Sequence, residues 1–267
     1  MELRKRILSS ILLISITIAA IKISWLFGIV ATVLIALALN EFFAMVQSND
    51  IKVFRYFGIL IGIIIPISIF FKFELTRSWE LFFIILLFIC LFLLQLSRKD
   101  IAASLVAISV TIFGILYISW LFSFIIKLRL ISPYGESLVG MLILTVKSGD
   151  IGAYLVGSRF GRHPLIARIS PKKTVEGTIA GFVCNMLFCL VSKSFLPIFS
   201  YGHLIFLGLF MGVMSLFGDL SESLIKRDCK VKDAGSLFPG LGGVLDVLDS
   251  LLFTTPAIYF YVSVILK

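Results

Sequence analysis

The residues best able to do chemistry in this chain are acids and bases set within apolar sequence. Asp219, Glu222, Ser223 and Lys226 recur at offsets 0, 3, 4 and 7, so a helix through them carries all four on one stripe. Asp246, Asp249 and Ser250 repeat the 0, 3, 4 pattern, and Lys147 and Asp150 are three residues apart on one helical face. An ionisable group at membrane depth costs roughly 3 kcal/mol or more unless it is paired, hydrated or bound to an ion. Acids and bases pairing across a bundle interior is the plain explanation, and for Lys147 and Asp150 it stands beside the functional one. The later acids, Asp219, Glu222, Asp246 and Asp249, suit a hard divalent cation, because gathered carboxylates repel one another. Mg²⁺ takes one or two protein carboxylates and completes its shell with water and phosphate oxygens.

The intervening segments carry the complementary charge. ISPKKTVEG (169–177) places Lys172 and Lys173 just before a helix whose first amides can receive an anion. KRDCKVKD (226–233) adds Lys226, Arg227, Lys230 and Lys232, and PGLGG (239–243) lets backbone approach a ligand closely. Acids for metal, bases for phosphate and a glycine-rich turn point to phosphoryl or nucleotidyl chemistry. Each piece alone has an ordinary reading: basic loops set topology, and glycine-rich turns turn.

Composition dictates which elements position these groups. Of 267 residues 60% are hydrophobic, 26 are Phe, and the mean hydropathy is +1.11. That excludes an ordinary soluble domain, which is about one quarter charged. The apolar residues come in runs long enough to cross hydrocarbon, and strands at this hydropathy would leave backbone groups unsatisfied in lipid. The expected fold is an all-α polytopic membrane protein, a bundle of about nine transmembrane helices. The spans fall near 7–21, 25–46, 54–71, 79–96, 101–126, 137–157, 176–196, 203–225 and 246–266. Residues 1–135 then form a lipid-facing scaffold, and 136–267 a catalytic region with loops at 158–175 and 226–245. The net charge of +9 is explained by topology rather than by nucleic acid. With nine alternating spans, sixteen of the 24 basic residues collect on the side of the N-terminus and these two loops, which is therefore the cytoplasmic side. The four cysteines form no C-x-x-C pair and read as reduced packing residues.

SLIKRDCKVKDAGSLFPGLGGVLDVLDS (223–250) resembles the signature of the phosphatidate cytidylyltransferases, also called CDP-diacylglycerol synthases, S-x-x-K-R-x4-K-D-x-G-x3-P-G-H-G-G-x-x-D-R-x-D. Ser223, Lys226, Arg227, Lys232, Asp233, Gly235, Pro239, Gly240, Gly242, Gly243, Asp246 and Asp249 match in register. GDIGAYLVGSRFGRHPLIARISPKKTVEG (149–177) and GDLSES (218–223) are similar to further stretches of the family. Leu241 stands where the pattern has His, and Val247 where it has Arg.

The resemblance implies a membrane enzyme that condenses CTP with phosphatidic acid to give CDP-diacylglycerol and pyrophosphate. It implies Mg²⁺, with a monovalent cation as a further expectation. Asp219 and Asp246 are then the leading metal ligands, with Asp249, Ser223 and Asp150 as helpers. Lys172, Lys173, Lys226, Arg227 and Lys232 become phosphate-binding candidates, and Gly240, Gly242 and Gly243 the close-approach glycines. Tyr154 packs under the nucleotide or serves as an interfacial aromatic. His163 is a surface residue by its own context, although the family pattern includes it. Glu176 in the first turn of its helix complements the helix dipole, and Glu41 reaches toward the headgroups. The expected location is a bacterial inner membrane, and a homodimer is the default assembly. Three alternatives stay open: a CTP-dependent lipid kinase or a cytidylyltransferase for another lipid phosphate, a transporter using its buried charges, and an inactive paralogue in which Leu241 and Val247 mark the loss.

Overall fold

The computed structural model describes residues 2–73, 77–99, 103–240 and 242–265. Leu241 therefore lies outside the described residues. Among the described residues nine helices follow the apolar runs: α1 Glu2–Lys22, α2 Ser24–Gln47, α3 Arg55–Phe70, α4 Arg77–Leu96, α5 Ser104–Arg129, α6 Gly135–Phe160, α7 Val175–Val191, α8 Tyr201–Asp228 and α9 Val244–Ile265. Their bounds track the expected spans because in lipid each polar backbone group must bond within its own segment. Among the described residues, six of them (α2 and α5 to α9) are long and apolar enough to cross a membrane. The apolar stretches Ser9–Lys22, Arg55–Phe70 and Ile84–Leu96 are shorter. α3, with 16 residues, rises about 24 Å against a hydrocarbon core of about 30 Å. Among the described residues, six helices are thus candidate crossings by length and hydropathy.

The all-α class holds, and the 158–175 loop between α6 and α7 contains a short hairpin. Pro164–Ile166 (β1) and Ser170–Thr174 (β2) pair antiparallel, with Pro164 opposite Thr174 and Ile166 opposite Ser170. This hairpin runs directly into α7, where the Thr174 hydroxyl caps the helix by accepting from the Gly177 amide at 3.2 Å.

Chain reversals gather the loops at two ends. At one, Asn49 reaches the Cys229 carbonyl (2.9 Å), Arg98 the Lys52 carbonyl (2.6 Å) and Arg227 the Ile169 carbonyl (3.2 Å). At the other, Lys22 pairs with Glu136, and Arg129 donates to the Ile21 carbonyl at 3.0 Å. The loops that carry the basic motifs therefore share one end.

The core gathers Phe42, Phe43, Leu39, Leu138, Met141, Leu142 and Leu207, all at 0–1% exposure, while Ile151, Leu187, Phe217 and Val264 lie open on the exterior, as a lipid-facing surface requires. Small residues let the site helices touch. A Cβ on Gly208 would lie 2.6 Å from the Met186 Cα, and one on Gly181 3.1 Å from the Gly149 carbonyl. Midway along α5, Ile115–Trp120 widens into a π-turn, a feature often found near functional sites. It buries Tyr117, Ile118 and Ser119, and the Ser119 hydroxyl donates to the Gly62 carbonyl at 2.6 Å.

Candidate active site

α6, α7 and α8 enclose a cavity of about 600 Å³ beneath the β-hairpin. Lys172, Lys173 and Thr174 line its mouth, and Asp150 of α6 and Asp219 of α8 lie within it. Lys173 reaches from the hairpin to form an ion pair with Asp219, and the Ser223 hydroxyl stands 3.5 Å from the second oxygen of that carboxylate. Lys147 bridges α6 to α9: its ammonium donates to Asp150 (3.1 Å), to the Ser250 hydroxyl (2.9 Å) and to the Val247 carbonyl (3.0 Å). Ser250 in turn donates to Asp150 at 3.1 Å. Asp249, 9% exposed, feels the charges of Asp219, Lys147 and Asp150. Three carboxylates are thus compensated by two lysines inside the helical layer.

A second charged group closes the motif loop between α8 and α9. Lys226 bridges Glu222 (2.9 Å) and Asp246 (2.8 Å). The other oxygen of Asp246 accepts from the Gly243 amide at 2.7 Å and the Ala234 amide at 3.0 Å. The Gly243 bond is the return half of a capping box, from the third residue of α9 to the amide just before it. Phe238 and Gly242 exchange amide-to-carbonyl bonds of 2.9 and 3.0 Å, and Gly240 (φ 82°) and Gly242 (φ 98°) take left-handed backbone that other residues rarely adopt.

Glu41 of α2 completes this group. Its carboxylate accepts from the Leu245 amide at 2.9 Å, and Cβ atoms built on Gly235 or Gly243 would run into it. The headgroup-facing role expected for Glu41 is corrected accordingly: it caps α9 and is wedged under the loop.

The predicted site residues therefore divide. Asp150, Asp219 and Lys173 come together at the cavity, with Ser223 against Asp219 and with Lys172 and Tyr154 on the lining, while Asp249 of α9 lies beside Ser250, whose hydroxyl donates to Asp150. Tyr154 is 70% exposed. Asp246, Lys226, Gly242 and Gly243 meet in the loop group, while Arg227 ties the end of α8 to the hairpin and Lys232 is exposed on the loop. Among the described residues no three His, Cys, Asp or Glu side chains close on one point as a metal cage. The donor chemistry nonetheless fits a hard cation, since Asp219, Asp249 and Asp150 are oxygen ligands and Mg²⁺ needs only one or two of them beside phosphate. His163 and Glu176 form a contact at the hairpin base, Nδ1 to Oε1 at 2.6 Å, and Glu176 also accepts the Arg162 and His163 amides. The four cysteines are free thiols, and burial beside Asp228 pushes the Cys229 thiol up from its ordinary value.

Residues 4–265 match the cytidylyltransferase family. The chain belongs to that family. It is 32% identical to the phosphatidate cytidylyltransferase of Synechocystis sp., with 98% of this chain and 97% of that one aligned. It is 39% identical to the phosphatidate cytidylyltransferase of Bacillus subtilis over 55% of each chain. It is 40% identical to phosphatidate cytidylyltransferase 4, chloroplastic, of Arabidopsis thaliana over 60% of this chain and 47% of that one.

Sequence reasoning missed Asn185 and Ser215 on the cavity lining. Asn185 of α7 lines the cavity, and its signal was a lone amide in the apolar run VCNMLF. Glu41 was seen, but its partner lies 204 positions away.

Proposed function

We propose that this chain is an integral membrane phosphatidate cytidylyltransferase, condensing CTP with phosphatidic acid to give CDP-diacylglycerol and pyrophosphate. The observation that carries the reading is the cavity between α6, α7 and α8. It opens at a lysine-bearing hairpin and holds carboxylates at membrane depth, in a family whose relatives bear that name.

The reaction forms a bond between a phosphate oxygen of phosphatidic acid and the α-phosphorus of CTP, and breaks the bond between the α- and β-phosphates. Pyrophosphate leaves with the electron pair. A phosphate monoester is already largely ionised near neutral pH, so no side chain has to remove a proton. The protein's task is to hold two polyanions together and accept the charge that develops on pyrophosphate. Lys172 and Lys173 at the mouth, with Arg227 and Lys232 on the neighbouring loop, supply that positive charge. Lys226 holds Asp246, and so holds the loop in shape. Thr174, His163 and Glu176 fix the hairpin on α7 and thereby aim the two lysines.

Asp219, Asp249 and Asp150 are the residues that would hold Mg²⁺, with a monovalent cation as companion charge. Asp246, saturated by Lys226 and two amides, borders the same helix face as Asp249. When bound, the metal supplies Lewis-acid stabilisation of phosphate charge. We place the hairpin and loop end in the cytoplasm of a bacterial inner membrane, from the excess of basic residues there. A homodimer is the assembly proposed.

The test is purified protein in detergent with CTP, phosphatidate and Mg²⁺. Stoichiometric CDP-diacylglycerol and pyrophosphate are expected, with loss of turnover on chelation. Release of CDP with a phosphorylated lipid identifies a kinase and rejects the reading. Absence of product from the wild-type chain, with product regained in Leu241→His/Val247→Arg, identifies an impaired paralogue.

A further inference from the structure

One departure of this chain from the family signature is answered from another helix. Val247 stands where the pattern D-R-x-D has Arg, so α9 carries Asp246 and Asp249 without the cation that the pattern sets beside them. A cation is nonetheless there. Lys147 reaches across from α6, and its ammonium donates to the main-chain carbonyl of Val247 itself at 3.0 Å, to the Ser250 hydroxyl at 2.9 Å and to Asp150 at 3.1 Å. The charge of Lys147 also reaches Asp249. Lys147 lies two residues before the stretch 149–177 that resembles the family, so the signature itself does not account for it. Residues 247 and 250 are three apart on α9 and therefore share a face. That face is turned to α6, because Ser250 meets both Lys147 and Asp150.

We infer that Lys147 stands in for the signature's missing arginine: it is a positioning residue that supplies from α6 the cation which the pattern places on α9, and it holds Asp150 and the Ser250 turn in the arrangement the reaction uses. The inference rests on the reading of this cavity as the cytidylyltransferase site. Three features carry it. The place is right, since the ammonium sits on the backbone of the very residue that lacks the charge. The charge is right, since one cation is missing at 247 and one is present at 147, beside acids that need it. The bonding is complete: an ammonium has three N–H donors, and each has an acceptor, so this lysine is fixed in one position at a depth where an unpaired one is costly. Val247 then marks an exchange of cations between helices and not a loss.

The experiment moves the cation back to α9. Wild type, Lys147→Met, Lys147→Arg, Val247→Arg and Lys147→Met/Val247→Arg are purified in detergent. The unfolding midpoint of each is measured, and kcat and KM with CTP, phosphatidate and Mg²⁺ are determined per folded enzyme. Lys147→Met is expected to lower kcat about 10- to 100-fold, with KM for CTP little changed. Lys147→Arg keeps the charge and should keep most of kcat. The double variant is expected to regain about 10-fold over Lys147→Met, whereas Val247→Arg alone crowds two cations together and gains nothing. Unchanged kcat in Lys147→Met, a double variant no more active than Lys147→Met, or a Val247→Arg enzyme more active than wild type would overturn the inference. Recovery of the unfolding midpoint without recovery of kcat, in a series whose wild type turns over, makes Lys147 a structural residue and overturns it as well. Should Lys147→Met fail to fold, the return of folded, active protein in the double variant supports the exchange, and its failure to return rejects it. If no variant forms CDP-diacylglycerol, the wild type included, while the double variant regains the midpoint that Lys147→Met loses, the exchange of cations stands and the proposed reaction is rejected.

Discussion

Two groups of buried charges, built from the same motif residues, are used in opposite ways. In the loop group, Lys226 donates to Glu222 and Asp246, both oxygens of Asp246 are taken up by Lys226 and the Ala234 and Gly243 amides, and Glu41 accepts from the Leu245 amide. In the cavity group, Asp150 and Asp219 line open space, held only by lysines and hydroxyls from neighbouring elements. A carboxylate satisfied by backbone amides is a structural part, because those partners do not leave when substrate arrives. A carboxylate held by a long lysine side chain can exchange that partner for a cation or a phosphate-bound ion. The comparison predicts that loop-group variants fail first in stability and cavity-group variants first in turnover.

The largest effect is expected at Asp219. Asp219→Asn keeps the shape but removes the charge that answers Lys173, and kcat/KM is expected to fall at least about 10²-fold, with the unfolding midpoint in detergent shifted little. A variant that unfolds while the remaining folded fraction keeps full activity would place Asp219 with the structural group.

Lys226→Met tests the other side. It leaves Glu222, fully buried, and Asp246 facing each other with no cation between them. Breaking a buried pair in this way is expected to destabilise by about 3–5 kcal/mol, read as a loss of folded protein on thermal or denaturant unfolding. The double variant Lys226→Met/Glu222→Leu should recover part of that loss, because it removes the stranded charge as well. Recovery of stability without recovery of turnover would give Lys226 a second role at the phosphates.

These two groups also divide what could be read from the residues alone. The helices were legible because apolar runs in lipid admit only one backbone solution. The stripes Asp219–Glu222–Ser223–Lys226 and Asp246–Asp249–Ser250 were legible because helical spacing fixes a shared face. Spacing does not say who the partners are: Asp246 was expected among the metal ligands, and its contacts to Lys226 and to the amides of residues 234 and 243 are supplied only by the folded chain. The hairpin was illegible for a similar reason. Its two short strands contain prolines, and it is held by contacts from Glu176 and Arg227 that only the folded chain supplies.

A smaller effect separates the groups at Ser250, whose hydroxyl sits between Lys147 and Asp150 on the cavity side. Ser250→Ala removes one acceptor and one donor but leaves the ion pair. A change of about 1 kcal/mol in stability is expected, with a several-fold fall in kcat, since the orientation of Asp150 is loosened while its charge remains. Unchanged kcat would mean that Lys147 alone orients the acid.

The smallest effect is expected at Glu41, and it probes how the scaffold half serves the site. From α2, Asn49 holds the start of the motif loop at the Cys229 carbonyl, and Glu41 holds its end at the Leu245 amide. Glu41→Gln keeps the volume and one acceptor for that amide, and loses only the negative charge at the helix N-terminus, worth about 0.3–1 kcal/mol. Stability should fall by no more than that, and turnover little. Glu41→Ala removes the wedge against Gly235 and Gly243 as well as the cap, so it should cost about 1–2 kcal/mol and lower kcat more than it raises KM. If Gln proves as damaging as Ala, the charge of Glu41 matters beyond the cap, and the loop group has an electrostatic share in the reaction.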